Sequence, residues 1–194
     1  AALQERLAQL QDMMYAQRKY ALLVVIQAMD AAGKDSLTKK VFDAVNPQGI
    51  QVHGFKAPTE EELSHDFLWR VHARVPAKGY IGVFVRSHYE DVLVVRVNNL
   101  APKHVWQARY EHINNFERLL ADSGTHILKF YLHVSKAEQR KQLQERLDDP
   151  NKHWKWNDGD LVTRAQWDDY MDAFEDVFER CNTAYAPWHI VPGN

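Results

Sequence analysis

Cys181 is the only cysteine in this 194-residue chain. An internal disulfide is thereby excluded, a reducing interior is suited, and a small buried helical residue is a better reading than a nucleophile. No apolar run approaches the length a bilayer requires, and no signal-peptide pattern stands at Ala1. A cytoplasmic protein with no membrane role is therefore expected. An excess of charge of one sign is also missing, since 24 Lys and Arg face 26 Asp and Glu for a net charge of -2. That balance argues against a general nucleic-acid binder, so any anion must be met by local basic patches. No internal repeat, low-complexity tract or linker divides the chain. One domain spanning residues 1–194 is expected, with an ordinary globular composition of 45% hydrophobic and 26% charged residues. The chain lacks an initiating Met and stops abruptly at Asn194 after a strand-like segment, so terminal segments are expected to be absent.

What is present starts with Ala21-Leu22-Leu23-Val24-Val25-Ile26-Gln27 running into AMDAAGKDSLTKKVFDAV. A buried strand that turns through small residues into a helix is the pattern of a phosphate-binding loop. There, backbone N–H groups and the positive helix end cradle a polyanion. Ala32, Gly33, Lys34 and Asp35 form the candidate cradle, with Lys34 reaching the phosphoryl group being moved. Set against G-x-x-x-x-G-K-[ST], the chain has Ala28 in first place and Asp35 where a magnesium-binding hydroxyl would stand. Asp30 instead puts a carboxylate inside the loop. A carboxylate among phosphates requires a cation beside it, which makes Asp30 a candidate magnesium ligand. The plainer reading is that Gly33 makes a tight turn and Lys34 is a solvated helix residue.

Strand and helix signals alternate along the rest of the chain. Leu3, Leu7, Leu10 and Met14 mark an amphipathic helix over residues 3–19. Asn46 to Gly49 is a turn, and Ile50 to Phe55 alternates as a short strand. Thr59 and Glu62 form a capping box that opens a helix through Leu63, Phe67, Arg70 and Val71. A third strand, Tyr80 to Val85, ends at Arg86-Ser87-His88-Tyr89, a polar cluster at the sheet edge where α/β folds keep ligands. Trp106, Tyr110, Ile113, Phe116 and Leu120 mark a long helix, and Ile127 to Val134 a fourth strand. Ser135 with Glu138 caps a further helix, Trp167 to Phe178 gives a helical core stripe, and Trp188 to Val191 reads as a last strand. This order implies an α/β fold with a parallel sheet covered by helices on both faces. The run Arg146 to Trp156 spaces cations through a Pro-broken connection, as a lid over a transferring phosphate would. Its candidates are Arg146, Lys152 and Lys155, with Trp154 or Trp156 as anchor, in a lid over about residues 140–160; solvated loop charges are the competing reading.

The segments AMDAAGKDS, PTEEELSHDFLWRVHARVP, RSHYEDVLVVRV, ILKFYLHVSKAEQRKQLQERLDDPNKHWKW and YAPWHIVP together resemble the type 2 polyphosphate kinases over nearly the whole chain. Those enzymes move phosphate between inorganic polyphosphate and nucleotides. The resemblance implies a thymidylate-kinase-like P-loop domain with a helical lid, Mg2+ or Mn2+ as cofactor, adenine or guanine nucleotides as partners, and a homo-oligomer, dimer or tetramer. It implies catalytic roles for Asp30, Lys34 and Arg86, and lid contacts from Arg146, Lys152 and Lys155. Asp91 would be a second metal carboxylate beside Asp30, and Glu90 would face the nucleotide. The Glu90-Asp91 pair looks like the subgroup that phosphorylates both AMP and ADP. Two departures stand out: Val85, where the family usually has Asp or Asn, and Ser36, where Gly is common. An ATP-dependent nucleotide kinase, or a weakly catalytic binding member, are the alternatives.

Overall fold

Residues 2–194 are described by a computed structural model. Strand β1 (Ala21–Ala28) occupies the centre of a five-stranded parallel sheet, flanked by β2 (Ile50–Gly54) and β3 (Ile81–Val85) on one side and by β4 (Thr125–His133) and β5 (Trp188–Pro192) on the other. The order is β2-β3-β1-β4-β5, with every neighbouring pair parallel. β1 is buried at every position but Leu22, as a strand covered on both faces must be. Its near-continuous apolar run is the sequence form of that environment.

Helices supply the cover. α1 (Ala2–Gln17) precedes β1, α2 (Lys34–Val41) follows it, and α3 (Glu60–Leu63) and α4 (Trp69–His72) connect β2 to β3. α5 (Val94–Val97) and α6 (Lys103–Asp122) lead to β4, and α7 (Lys136–Asp148), α8 (Gly159–Ala165) and α9 (Trp167–Arg180) lead to β5. The chain moves one way across the sheet from β1 to β2 and the other way afterwards, so right-handed crossovers place α2 opposite the later helices. Two of the expected stripes become core, since Tyr110, Ile113, Phe116 and Leu120 of α6 and Tyr170, Phe174 and Val177 of α9 are buried, whereas in α1 Leu3 and Leu10 are exposed and only Leu7 and Met14 pack against the core.

One expected helix is two. The capping box at Thr59 and Glu62 forms, but α3 ends after Leu63. Asp66 then accepts the Leu68 N–H at 3.0 Å, a local turn that competes with continued helix and restarts it at Trp69. Leu63 is left exposed, whereas Val71 is buried.

Candidate active site

The site gathers at the carboxyl edge of the sheet, where the loop after β1, the end of β3 and the α7–α8 segment after β4 converge. The loop needs two left-handed residues, Ala31 at φ 60° and Gly33 at φ 88°. Glycine meets that demand without strain, whereas Ala31 carries roughly 1 kcal/mol of it. A Cβ at Gly33 would meet no atom within 4 Å, so glycine stands there for its backbone rather than for space. α2 begins at the next residue, which aims its unpaired N–H groups into the loop.

Lys34 folds back over this turn. Its Nζ donates to the carbonyls of Ala28 and Met29, at 2.9 Å each, and only 8% of the residue is exposed. Burial pushes its pKa below the ordinary lysine value, with the Asp30 carboxylate opposing. Arg86, in the left-handed region at φ 62°, donates its backbone N–H to Ile26 O at 3.1 Å and its guanidinium to Asp30. Burial disfavours the Asp30 carboxylate, but Lys34 and Arg86 outweigh it and hold its pKa below the usual range. Glu90 lies half-buried within the fields of Arg86, Lys34 and Asp30, and burial raises its pKa.

A cleft of about 350 Å³ is lined by the loop from Asp30 to Ser36, by Arg86, and by Arg146, Lys152 and Lys155 from the segment that runs from α7 to α8. Nine expected positions thus share one cavity, although they come from three stretches of chain, each more than 50 residues from the next. Two of these cations have carboxylate partners of their own. Arg146 donates to Asp160 at 2.5 Å and to Lys155 O at 3.0 Å, and Lys152 contacts Glu145 at 3.3 Å.

Three expectations need correction or addition. Asp91 does not join Asp30: its carboxylate accepts from Arg109 at 3.0 Å, and Arg109 also donates to its backbone oxygen at 3.1 Å. The 3-10 turn His88–Asp91 sends consecutive side chains in different directions, so Glu90 faces the site and Asp91 faces α6. Trp154 is 79% exposed at the cleft rim with the Lys155 ammonium 5.2 Å from its ring centre, whereas Trp156 donates to Asp158 at 2.9 Å. Sequence reasoning also missed Asp160, the buried partner of Arg146, and Gln139, whose amide donates to Asp30 O at 2.9 Å. Gln139 sits in the first turn of the Ser135-capped helix, the one local signal that could have drawn notice. Val85 is half-buried and packs against the core at the end of β3.

A phosphate loop on the central strand of a parallel sheet, with an arginine from the next strand over and a cationic segment above it, defines a P-loop phosphotransferase. The chain belongs to the polyphosphate kinase 2 family, whose model matches residues 1–194. It is 57% identical over 194 residues to the AMP/ADP-polyphosphate phosphotransferase of Meiothermus ruber, covering 100% of this chain and 73% of that protein. A crystal structure of polyphosphate kinase 2 from Arthrobacter aurescens TC1 is similar at a TM-score of 0.96 and 52% identity, covering 99% of this chain and 69% of that one. A deoxyadenosine kinase from M. mycoides shares the fold at a TM-score of 0.50 and 16% identity, over 88% of this chain and 90% of that one.

Proposed function

We propose that this chain transfers the terminal phosphoryl group of inorganic polyphosphate to AMP and to ADP, reversibly, by in-line displacement. The observation that carries the reading is the single cleft in which the loop meets Lys34, Arg86, Arg146, Lys152 and Lys155. Five cations around one cavity suit a chain of condensed phosphates better than a lone phosphate. The Meiothermus ruber relative, named for AMP and ADP, supports both acceptors.

The residues fit a magnesium ion. Among the described residues no group of three or more His, Cys, Asp or Glu forms a protein cage, and Mg2+ in kinases takes one or two carboxylates plus substrate phosphates and water. Asp30 supplies that carboxylate within the loop. When bound, the ion would neutralise charge on the phosphates. The remaining work falls to this chain's own groups. Lys34 and Arg86 exchange their present partners, the loop carbonyls and Asp30, for phosphate oxygens. The nucleotide phosphate oxygen attacks the terminal phosphorus, the anhydride P–O bond breaks, and its electron pair leaves on a polyphosphate one unit shorter. An AMP or ADP phosphate is already anionic at neutral pH, so no general base is needed and electrostatic stabilisation carries the catalysis. The lid cations exclude water and offset the donor's charge. Glu90 belongs to the nucleotide side, and the working form is a homo-oligomer in the cytoplasm.

Assays of AMP with long-chain polyphosphate and Mg2+, beside AMP with ATP, test the reading by following product nucleotides. Product from polyphosphate is expected. Activity with ATP alone would overturn the assignment.

A further inference from the structure

Behind the site lies a buried polar cluster that the transfer chemistry does not use. Lys129 of β4 and Glu117 of α6 are both fully buried and paired at 2.6 Å. The Lys129 ammonium spends its three hydrogens on Glu117 Oε2, on the Tyr89 hydroxyl at 2.6 Å and on Cys181 O at 2.7 Å. The other Glu117 oxygen accepts from the Tyr89 hydroxyl at 2.8 Å and meets His88 Nε2 at 3.1 Å. Tyr89 and His88 are themselves fully buried. Four parts of the fold are thus joined: the turn after β3, α6, β4 and the end of α9.

An ion pair in this position is a poor stability device, because apolar residues of similar volume stabilise a core at least as well. A satisfied polar network instead specifies one arrangement over its neighbours. What it specifies here is the turn. Residues 86–91 carry Arg86 and Glu90 on either side of His88 and Tyr89. Arg86 holds a left-handed backbone that a non-glycine residue keeps only where its surroundings impose it. Ser87 Oγ accepts the Tyr89 N–H at 3.2 Å and Ser87 O accepts the Glu90 N–H at 3.0 Å, so fixing Tyr89 fixes the residues on either side.

We propose that Glu117 and Lys129 are positioning residues for phosphoryl transfer, acting through Tyr89 and His88 to hold Arg86 and Glu90 in register with Asp30 and Lys34. The inference rests on the proposed function for its kinetic consequence but not for its structural one. Neither residue touches substrate, so their loss lowers kcat far more than it raises the KM for polyphosphate, which Lys34, Arg146, Lys152 and Lys155 still grip.

The test pairs Glu117→Gln with Lys129→Met in one variant, which removes both charges together and leaves no uncompensated ion. Hydrogen–deuterium exchange of peptides covering residues 86–93 is read alongside steady-state kinetics and near-ultraviolet circular dichroism. Exchange in that segment is expected to rise at least about ten-fold while β1 keeps its protection. The kcat is expected to fall about ten- to hundred-fold, as displacement of a catalytic group by a fraction of an ångström requires. Tyr89→Phe, which keeps the ring and deletes the hydroxyl joining both charges, is expected to shift exchange and kcat in the same directions. It decides the matter if the double variant does not fold. Parental exchange over residues 86–93 in the folded variants overturns the proposal, whatever the turnover. A parent that cannot use polyphosphate strikes the functional reading alone.

Discussion

Arg86 and Asp30, 56 residues apart in sequence, form an ion pair that ties the end of β3 to the phosphate loop after β1. Each holds the other at the mouth of the loop, so the cleft is organised around opposite charges. Asp30→Asn removes the loop carboxylate and frees Arg86. Turnover with polyphosphate is expected to fall at least about 100-fold, the scale set by deleting one preorganised electrostatic group. Initial rates over a Mg2+ titration check this, and saturation at parental Mg2+ with parental kcat would remove Asp30 from the metal site.

Lys34 donates to Ala28 O and Met29 O at 2.9 Å, a posture it must leave to reach a phosphate. Lys34→Met keeps much of the volume and loses the charge. Its kcat is expected to drop about 100- to 1,000-fold by the same electrostatic measure, with a melting temperature near the parent's because a desolvated ammonium is gone. If the variant is as fast as the parent, the loop does not bind the transferred group.

The ion pair of Arg146 with Asp160 at the cleft makes a prediction of opposite signs. Arg146→Ala should raise the KM for polyphosphate several-fold, whereas Asp160→Asn, which releases Arg146 from its carboxylate partner, should lower or preserve it. Both KM values should climb with added salt, since exposed charges are screened over a Debye length of about 8 Å at physiological ionic strength. KM values that move together for the two variants would show that the pair is only structural.

Acid stability follows from Glu117. Burial opposes its ionisation, yet the His88 hydrogen bond and the Lys129 charge prevail and hold its pKa below the ordinary 4.5. A carboxyl depressed in the folded state adds stability that is fully present above its unfolded value and is lost as pH falls through the folded one. Thermal melts should therefore be insensitive to this group above about pH 4.5 and should weaken below it. The Glu117→Gln, Lys129→Met variant should show a shallower acid slope. An identical slope in both proteins would assign acid lability to other carboxylates.

Val85 offers a gain-of-function test. It stands where the family resemblance implies Asp or Asn, and it is half-buried beside Ile26 and Gly54. Val85→Asn is expected to raise kcat while costing about 1 kcal/mol of lost burial, read by denaturant titration. A variant that loses stability without gaining rate would mean that the apolar residue suits this site.

Much of the fold was readable along the chain. The five strands, the long helix through Ile113, the caps at Thr59 and Ser135 and the Pro-broken connection after α7 all appear where periodicity and capping placed them. These are near-neighbour effects, set by side chains a few residues apart. The split between α3 and α4 is also local, and was missed because Asp66 competes with the helix through a turn that apolar spacing does not reveal. The cradle was legible for a similar reason, since the strand, the small residues and Gly33-Lys34 are contiguous.

Charge partnership was a different matter. Asp91 looked like a twin of Asp30 because it follows a motif, yet one step around a tight turn gave it to Arg109 instead. Asp160, Gln139, Glu117 and Lys129 carry no pattern of their own, and their importance arises from neighbours 12 to 109 residues distant. Local order along the chain is enough to say that a phosphate loop exists and where it lies. Which carboxylate meets which cation is an outcome of packing, because electrostatic pairing depends on distance in space and on desolvation, and both are defined only once the sheet and its helices have closed around them.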